Sequence, residues 1–368
     1  MKRQTGEYER STVAGEEVSA FIPFPLPPGD PPLDLDGDLA PLLARAREQV
    51  RLLDLAGDLV PSVEWFVYAF VRKEAVLSAQ IEGTQATLMD LLEVEASGEA
   101  PVDADVEEVC GYVDALGFAW DELGSETGLP ISMRLLSETH RRLLAGARGA
   151  QKQPGEVRRS QNWIGGTRPG NASFVPPPPH RLGELLSQFE RAIHDDSDLP
   201  PLVRVGLLHV QFETLHPYLD GNGRLGRLLI TLLLRHWGLL SRPLLYLSLF
   251  LKVHRQEYYR RLGAVRTEGD WEGWLAYFLE GVAAVAEEAI ATARRLHAIV
   301  GASRDRLLAR DDATVFSLRL FELLPQHPIV TVNRAVDLLE CSRPAAAKAL
   351  RVLEAAGVLH ALDDRKKN

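Results

Sequence analysis

Apolar residues recur at the spacing of one helical face through most of this chain, so the pattern predicts a mainly α fold. Helical patterns dominate from Leu39 to about Ser97. Amphipathic helices follow from Glu107 to Asp121, Ser132 to Leu144 and Leu182 to His194. Two further segments, Val203 to Leu215 and the run LLITLLLRHWG closing at Gly238, are apolar almost all round. A helix without a polar face belongs in a core. Trp271 to Val300 is alanine-rich and predicts one long helix or a pair.

The breaks in the pattern carry as much information. Residues 1 to about 35, with FIPFPLPPGDPPLDLDGD, are rich in proline and polar groups and predict an extended arm on the surface. Asn162 to Pro179 has paired glycines, a Pro-Gly step and four successive prolines, which exclude a helix. Short β-prone pieces, Trp163-Ile164 and Ala172 to Val175, flank GGTRPGN there and suggest a hairpin-like flap. From Ala313 a separate unit begins. One helix is ended by Pro325, a second runs from a Thr331 N-cap to Glu340, and a third is closed by Gly357 before GVLHAL begins a strand. Helix-turn-helix followed by a strand resembles a small winged-helix domain over 313–368, truncated where a second wing strand is expected.

Composition narrows the class. With 368 residues, 46% hydrophobic and 25% charged, the chain is an ordinary globular protein with room for two or three domains. No apolar run reaches the ~18–20 residues that span a bilayer, and the polar N-terminus lacks a signal-peptide core. A soluble cytoplasmic protein with no membrane partner is expected. Cys110 and Cys341 are too few and too scattered for a disulfide framework or a zinc site. The unit over 313–368 holds eight Lys+Arg against six Asp+Glu in a chain of net charge −10. DNA affinity scales with phosphates neutralised, so DNA binding is weakly supported there, and homodimerisation or target docking is at least as well favoured.

Candidate chemistry concentrates in HPYLDGNGRLGR, His216 to Arg227, a polar glycine-rich loop between the two buried helices. Gly221 and Gly223 allow positive φ and close approach to a ligand. The amides of Gly221 to Arg224 open the following helix, where free N–H groups and the macrodipole make an anion site. Arg224 and Arg227 share one helical face and can grip one polyphosphate. Asp220 is a hard oxygen ligand of the kind that holds magnesium beside phosphates, and His216 can accept a proton near neutral pH. A DGNG turn alone is commonly structural, but a turn needs neither two arginines in register behind it nor a histidine before it. The spacing and lysine of a Walker A loop are absent.

This stretch resembles the Fic motif HPFx[D/E]GNGRxxR, with Tyr218 for the usual Phe. The resemblance implies a Fic-type helical core with a β-hairpin flap, over about 101–300, that transfers AMP from ATP to a protein hydroxyl of Ser, Thr or Tyr. It makes His216 the general base and Asp220 the Mg²⁺ carboxylate. Asn222 and the glycine amides become the α-phosphate hole, and Arg224 and Arg227 the β- and γ-phosphate grips. The nucleotide-binding set is then Gly221, Asn222, Gly223, Arg224, Leu225, Gly226 and Arg227, with His254 and Tyr258 near the adenine. Gly223 stands where the related Doc kinases carry lysine, which favours adenylylation over phosphorylation.

A second segment, SAQIEG, closes a helical pattern running from about Ser62 to Gly83 within an N-terminal region of about 100 residues. Ser78 and Glu82 share a face, and alone they read as an ordinary surface pair. Beside a Fic core, Ser78, Glu82 and Gly83 resemble the family's inhibitory signature [S/T]xxxE[G/N]. That resemblance implies a Glu82–Arg227 pair blocking the γ-phosphate site, and a flap that lays the target alongside as an added strand. The expected function is an autoinhibited adenylyltransferase acting on a target protein or on itself. The alternatives are a DNA-binding regulator with a Fic sensing domain, transfer of another nucleotide, or removal of AMP.

Overall fold

A computed structural model describes residues 3–59, 63–146 and 149–362. The chain opens with an antiparallel hairpin, β1 (Gly6–Val13) and β2 (Glu16–Pro23), with Tyr8 opposite Phe21. Helices follow: α1 (Leu39–Leu59), α2 (Val63–Ile81), α3 (Leu88–Ser97), α4 (Ala104–Gly124) and α5 (Met133–Leu143). After the flap come α6 (Pro179–His194), α7 (Pro201–Leu215), α8 (Asn222–His236), α9 (Ser248–Val253), α10 (Arg255–Glu268) and α11 (Trp271–Leu308). The last unit is α12 (Val315–Leu323), α13 (Val332–Leu339) and α14 (Arg343–Ala355). The fold is mainly α, as its periodicity predicts.

Local chemistry sets many boundaries. Thr87 and Asp90 form a capping box at the start of α3, and Gly98 in the left-handed region closes it. Ser132 accepts from Leu135 N–H to start α5, and Thr331 caps α13 as expected. Ser62, expected as the N-cap of α2, lies outside the described residues.

One large core unites α1 to α11, and α7 and α8 run through its middle. Every residue of α7 from Val205 to Leu215 is buried, including His209, Gln211, Glu213 and Thr214. That is the all-round apolar pattern realised, with polar groups kept where they find partners. The two helices approach closely at Gly226, where a Cβ would stand 2.3 Å from Glu213 Oε1. α11 is one continuous helix, longer than the run that predicts it, and its end enters the second core formed by α12 to α14.

Three expectations are corrected. The N-terminal segment is not an extended arm: Ala14 and Gly15, both at positive φ, make a two-residue turn between β1 and β2. The hairpin docks on the flap, where Phe21 N–H donates to the Val175 carbonyl at 2.9 Å. The flap itself has a hairpin-like path but one bridge only, Ile164 to Phe174, around a 3₁₀ turn at Pro169–Asn171. Its prolines withhold the donors a longer ladder needs. At the C-terminal end, residues 358–362 form no strand, so the unit is a three-helix helix-turn-helix without a wing among the described residues, and 363–368 lie outside them. Val358 and Leu359 instead donate their N–H groups back to the Leu353 carbonyl as the tail of α14.

Candidate active site

The loop between α7 and α8 sits at the floor of a cavity of about 380 Å³. Its walls are Glu82, Thr84, Glu108, His216, Asp220 and the first turn of α8. His216 closes α7 in the left-handed region, φ 46°, with its N–H on the Phe212 carbonyl. A non-glycine residue in that region is strained, and the strain is held by a dense brace. The buried Arg158 guanidinium donates to the carbonyls of His216 (2.9 Å), Pro177 (2.6 Å) and Ser160 (3.2 Å). It therefore ties the base to the root of the flap.

Tyr218 fills the motif's aromatic position. It is fully buried, stacks on His140 at 3.9 Å and shares a hydrogen bond with Ser137. His140 accepts from Gly155 N–H at Nδ1, so its Nε2 donates to the Asp220 carbonyl at 2.9 Å. Burial pushes its pKa down to about 4, which fits a neutral ring.

His216 is also pushed down to about 4, first by burial and then by the Arg158 cation, while Glu82 and the Glu213 carbonyl act the other way. The ring is thus neutral near pH 7 and free to accept a proton. Its Nδ1 is buried without a hydrogen-bond partner, so Nε2 is the nitrogen that serves the cavity.

The helix start is built as a cradle. Gly221, φ 72°, precedes α8 without a side-chain cap, and its own N–H is taken by Asp220 Oδ1 at 2.7 Å. The N–H groups of Asn222, Gly223 and Arg224 form the open first turn. The Asn222 side chain is placed differently from an anion donor. Its Oδ1 accepts from Tyr218 N–H and its Nδ2 donates to the Tyr218 carbonyl, both at 2.9 Å, so it braces the loop and only its backbone N–H is left for a ligand. Leu225 and Gly226 face the core: Leu225 is fully buried, and the Gly226 carbonyl accepts from His209 Nδ1.

Arg227 is almost wholly buried and makes three hydrogen bonds. Its Nε donates to Ser78 Oγ at 2.9 Å, and its Nη2 to the Ser78 carbonyl at 3.0 Å and to Glu82 Oε1 at 2.7 Å. Burial raises the Glu82 pKa, but the Arg227 cation outweighs it and the net shift is downward, so the carboxylate is ionised at neutral pH. Gly223 makes room for this pair: a Cβ there would lie 2.3 Å from Glu82 Oε1. Gly83, φ 106°, turns the chain away immediately afterwards.

Asp220 could hold a magnesium ion at this site together with substrate phosphates. Among the described residues no cluster of three His, Cys, Asp or Glu could cage a metal. Asp220 is half-exposed in the cavity wall, and a single carboxylate completed by substrate phosphates is how Mg²⁺ is commonly bound.

The proposed adenine side differs from expectation. Tyr258 is fully buried with its hydroxyl on His209 Nε2 at 2.8 Å, and His254 is an exposed residue against Phe250, outside the cavity lining. The ring near the site is Tyr259, 41% exposed, close enough for Glu82 and Arg227 to shift its pKa. Sequence reasoning also missed Arg158, Glu108 and the part that Arg255 plays. Arg255 Nε donates to the Ile81 carbonyl at 2.9 Å and caps α2 beside Glu82.

Comparison with known proteins matches this geometry. Residues 40–121 match the Fic/DOC family N-terminal model, and residues 130–234 the Fic/DOC family model that contains the motif. The chain belongs to the Fic/DOC family. The protein adenylyltransferase Fic of Drosophila yakuba is 31% identical over 199 residues, covering 52% of this chain and 36% of that protein. The chain thus spans about a third of the length of the curated relatives it matches. A Fic family protein from Desulfovibrio desulfuricans shares the fold at 20% identity and TM-score 0.59, over 88% of this chain and 91% of that one. Fic-1 from C. elegans does so at 23% identity and TM-score 0.55, over 70% and 73%. This Fic chain contains no helix among the described residues long and apolar enough to cross a membrane.

Proposed function

We propose that this chain is a protein adenylyltransferase held in a resting state by Glu82. The observation that carries the reading is the Glu82–Arg227 pair at 2.7 Å, inside a cavity that also gathers His216, Asp220 and the open helix start. A guanidinium so buried and so near an anion cradle suits phosphate, and here a carboxylate stands in for it. The relatives' names support AMP as the transferred group.

In the reaction, the acceptor hydroxyl oxygen of a Ser, Thr or Tyr attacks the α-phosphorus of ATP. The bond to the β-phosphate oxygen breaks, pyrophosphate leaves with the electron pair, and the hydroxyl proton passes to His216 Nε2. The first-turn amides of α8 stabilise the α-phosphate charge, and Arg224 and Arg227 hold the outer phosphates. Asp220 would hold Mg²⁺, which neutralises polyphosphate charge when bound. The working parts divide as an N-terminal region over 1–100, a catalytic core over 101–300 and the helix-turn-helix unit over 313–368. The test is intact mass of wild type, Glu82→Gly and Glu82→Gly/His216→Ala after incubation with each nucleoside triphosphate and Mg²⁺. An AMP adduct on Glu82→Gly alone is expected; adducts on the His216→Ala double variant would remove the base, and none on any form would sink the activity.

A further inference from the structure

The two motif arginines are not held alike. Arg227 makes three hydrogen bonds, whereas Arg224 makes one to a side chain, from Nη1 to Glu108 Oε2 at 3.1 Å. Its Nη2 stands 3.8 Å from Asp220 Oδ1, and its Nε is buried without a partner. A guanidinium suited to two parallel bonds is thus held by a single one. Its side chain is 5% exposed and that of Glu108 21%, so water does little to screen the pair.

Glu108 projects from α4 into the wall of the cavity, level with the first turn of α8. It also accepts from Thr84 Oγ1 at 3.3 Å, and one helical turn earlier Asp105 Oδ2 accepts from Gln85 N–H at 2.7 Å. The turn that carries Glu82 is therefore fastened twice, to α8 through Arg227 and to α4 through Asp105 and Glu108. Glu108 joins that turn to Arg224.

We propose that Glu108 sets the affinity of the cavity for nucleoside di- and triphosphates by competing with phosphate for Arg224. This rests on the reading of the cavity as a nucleotide site. With a diphosphate bound, the guanidinium exchanges its carboxylate bond for phosphate oxygens, while the Thr84–Glu108 and Gln85–Asp105 contacts still tie α4 to the inhibitory turn. Glu108 acts through Arg224, as a positioning residue, and takes no part in bond making.

The experiment is calorimetric titration, in the Glu82→Gly background, of ADP and of adenosine into the parent and into Glu108→Gln. Losing one charge-assisted bond to the competing carboxylate tightens ADP binding by about tenfold. Adenosine, which has no phosphate for Arg224, binds with unchanged affinity. A residue that merely supports the fold moves both ligands together, so equal changes overturn the proposal, as does unchanged or weaker ADP binding. Glu108→Ala serves as a second variant with the same expected direction, should the glutamine re-form the hydrogen bond. AMP transfer by Glu82→Gly is read separately: tighter ADP binding without transfer sinks the adenylyltransferase reading alone.

Discussion

Replacing Glu82 by glycine tests the resting state most directly. The pair it removes is a charge-assisted hydrogen bond between a side chain 2% exposed and one 37% exposed. Such bonds contribute roughly 1.5–3 kcal/mol, and the partly exposed carboxylate puts this pair toward the lower end. A γ-phosphate must displace the carboxylate, so its removal raises the productive ATP complex by roughly 10- to 150-fold at about 1.4 kcal/mol per tenfold. Arg227 keeps both bonds to Ser78, so the guanidinium stays in place. Losing its counter-ion leaves a buried cation poorly compensated. The variant should therefore melt below wild type without ligand and gain more from ATP and Mg²⁺. Initial rates of AMP incorporation at saturating magnesium, with paired thermal melts, measure both quantities. Equal rates in the two proteins, or a melt unchanged by the mutation, would refute the lock.

Other outcomes follow from the same structure. His216 must be neutral to accept a proton; its pKa is near 4 with Glu82 present, and Glu82 raises it, so the acid limb of kcat/KM in the Glu82→Gly enzyme lies at or below about pH 4. Arg158→Gln removes a cation that disfavours protonation, so the limb moves up, and a limb that stays put denies Arg158 that role. Gly226→Ala places a methyl 2.3 Å from Glu213 Oε1 in the core; overpacking of this kind costs about 1–3 kcal/mol, and an unaltered denaturant midpoint would contradict it. His140, His209 and His216 are each held near 4 by burial, against an ordinary 6.5. Below pH 6.5 the unfolded chain binds protons that the folded one refuses, so stability falls as pH drops from 6.5 to 4, by at most about 3 kcal/mol for each ring. Burial lifts Glu213 to about 7, and its contribution runs the other way, present below 4.5 and lost as pH rises toward 7. His236 and His327 are lowered as well and Glu74 is raised like Glu213, so depressed rings outnumber raised carboxyls and leave a net acid loss, and His209→Gln should flatten the slope of urea midpoint against pH.

What the sequence made legible follows the distance over which each feature is encoded. The α7 and α8 helices and the cradle between them lie in one run of chain, so periodicity and residue type were enough to place them. The Glu82–Arg227 pair spans 145 residues and was reached only through resemblance to a signature, because a glutamate past a helix end pairs with any nearby cation. Glu108–Arg224, 116 residues apart, had no signature and was missed. Arg158, 58 residues before His216, was missed for another reason: its partners are carbonyls, which every residue has. Asn222 and Tyr258 are the reverse case. Their side chains suit a ligand by type, yet loop closure and the buried His209 claim their hydrogen bonds first. The N-terminal hairpin failed through composition, since the prolines after Pro23 masked a two-residue Ala14-Gly15 turn between strands. Residue type therefore proposes a site, and competition for its hydrogen-bonding groups decides which members remain available. At the motif that competition leaves His216, Asp220 and the first-turn amides open, and leaves both arginines waiting behind carboxylates from α4 and the end of α2.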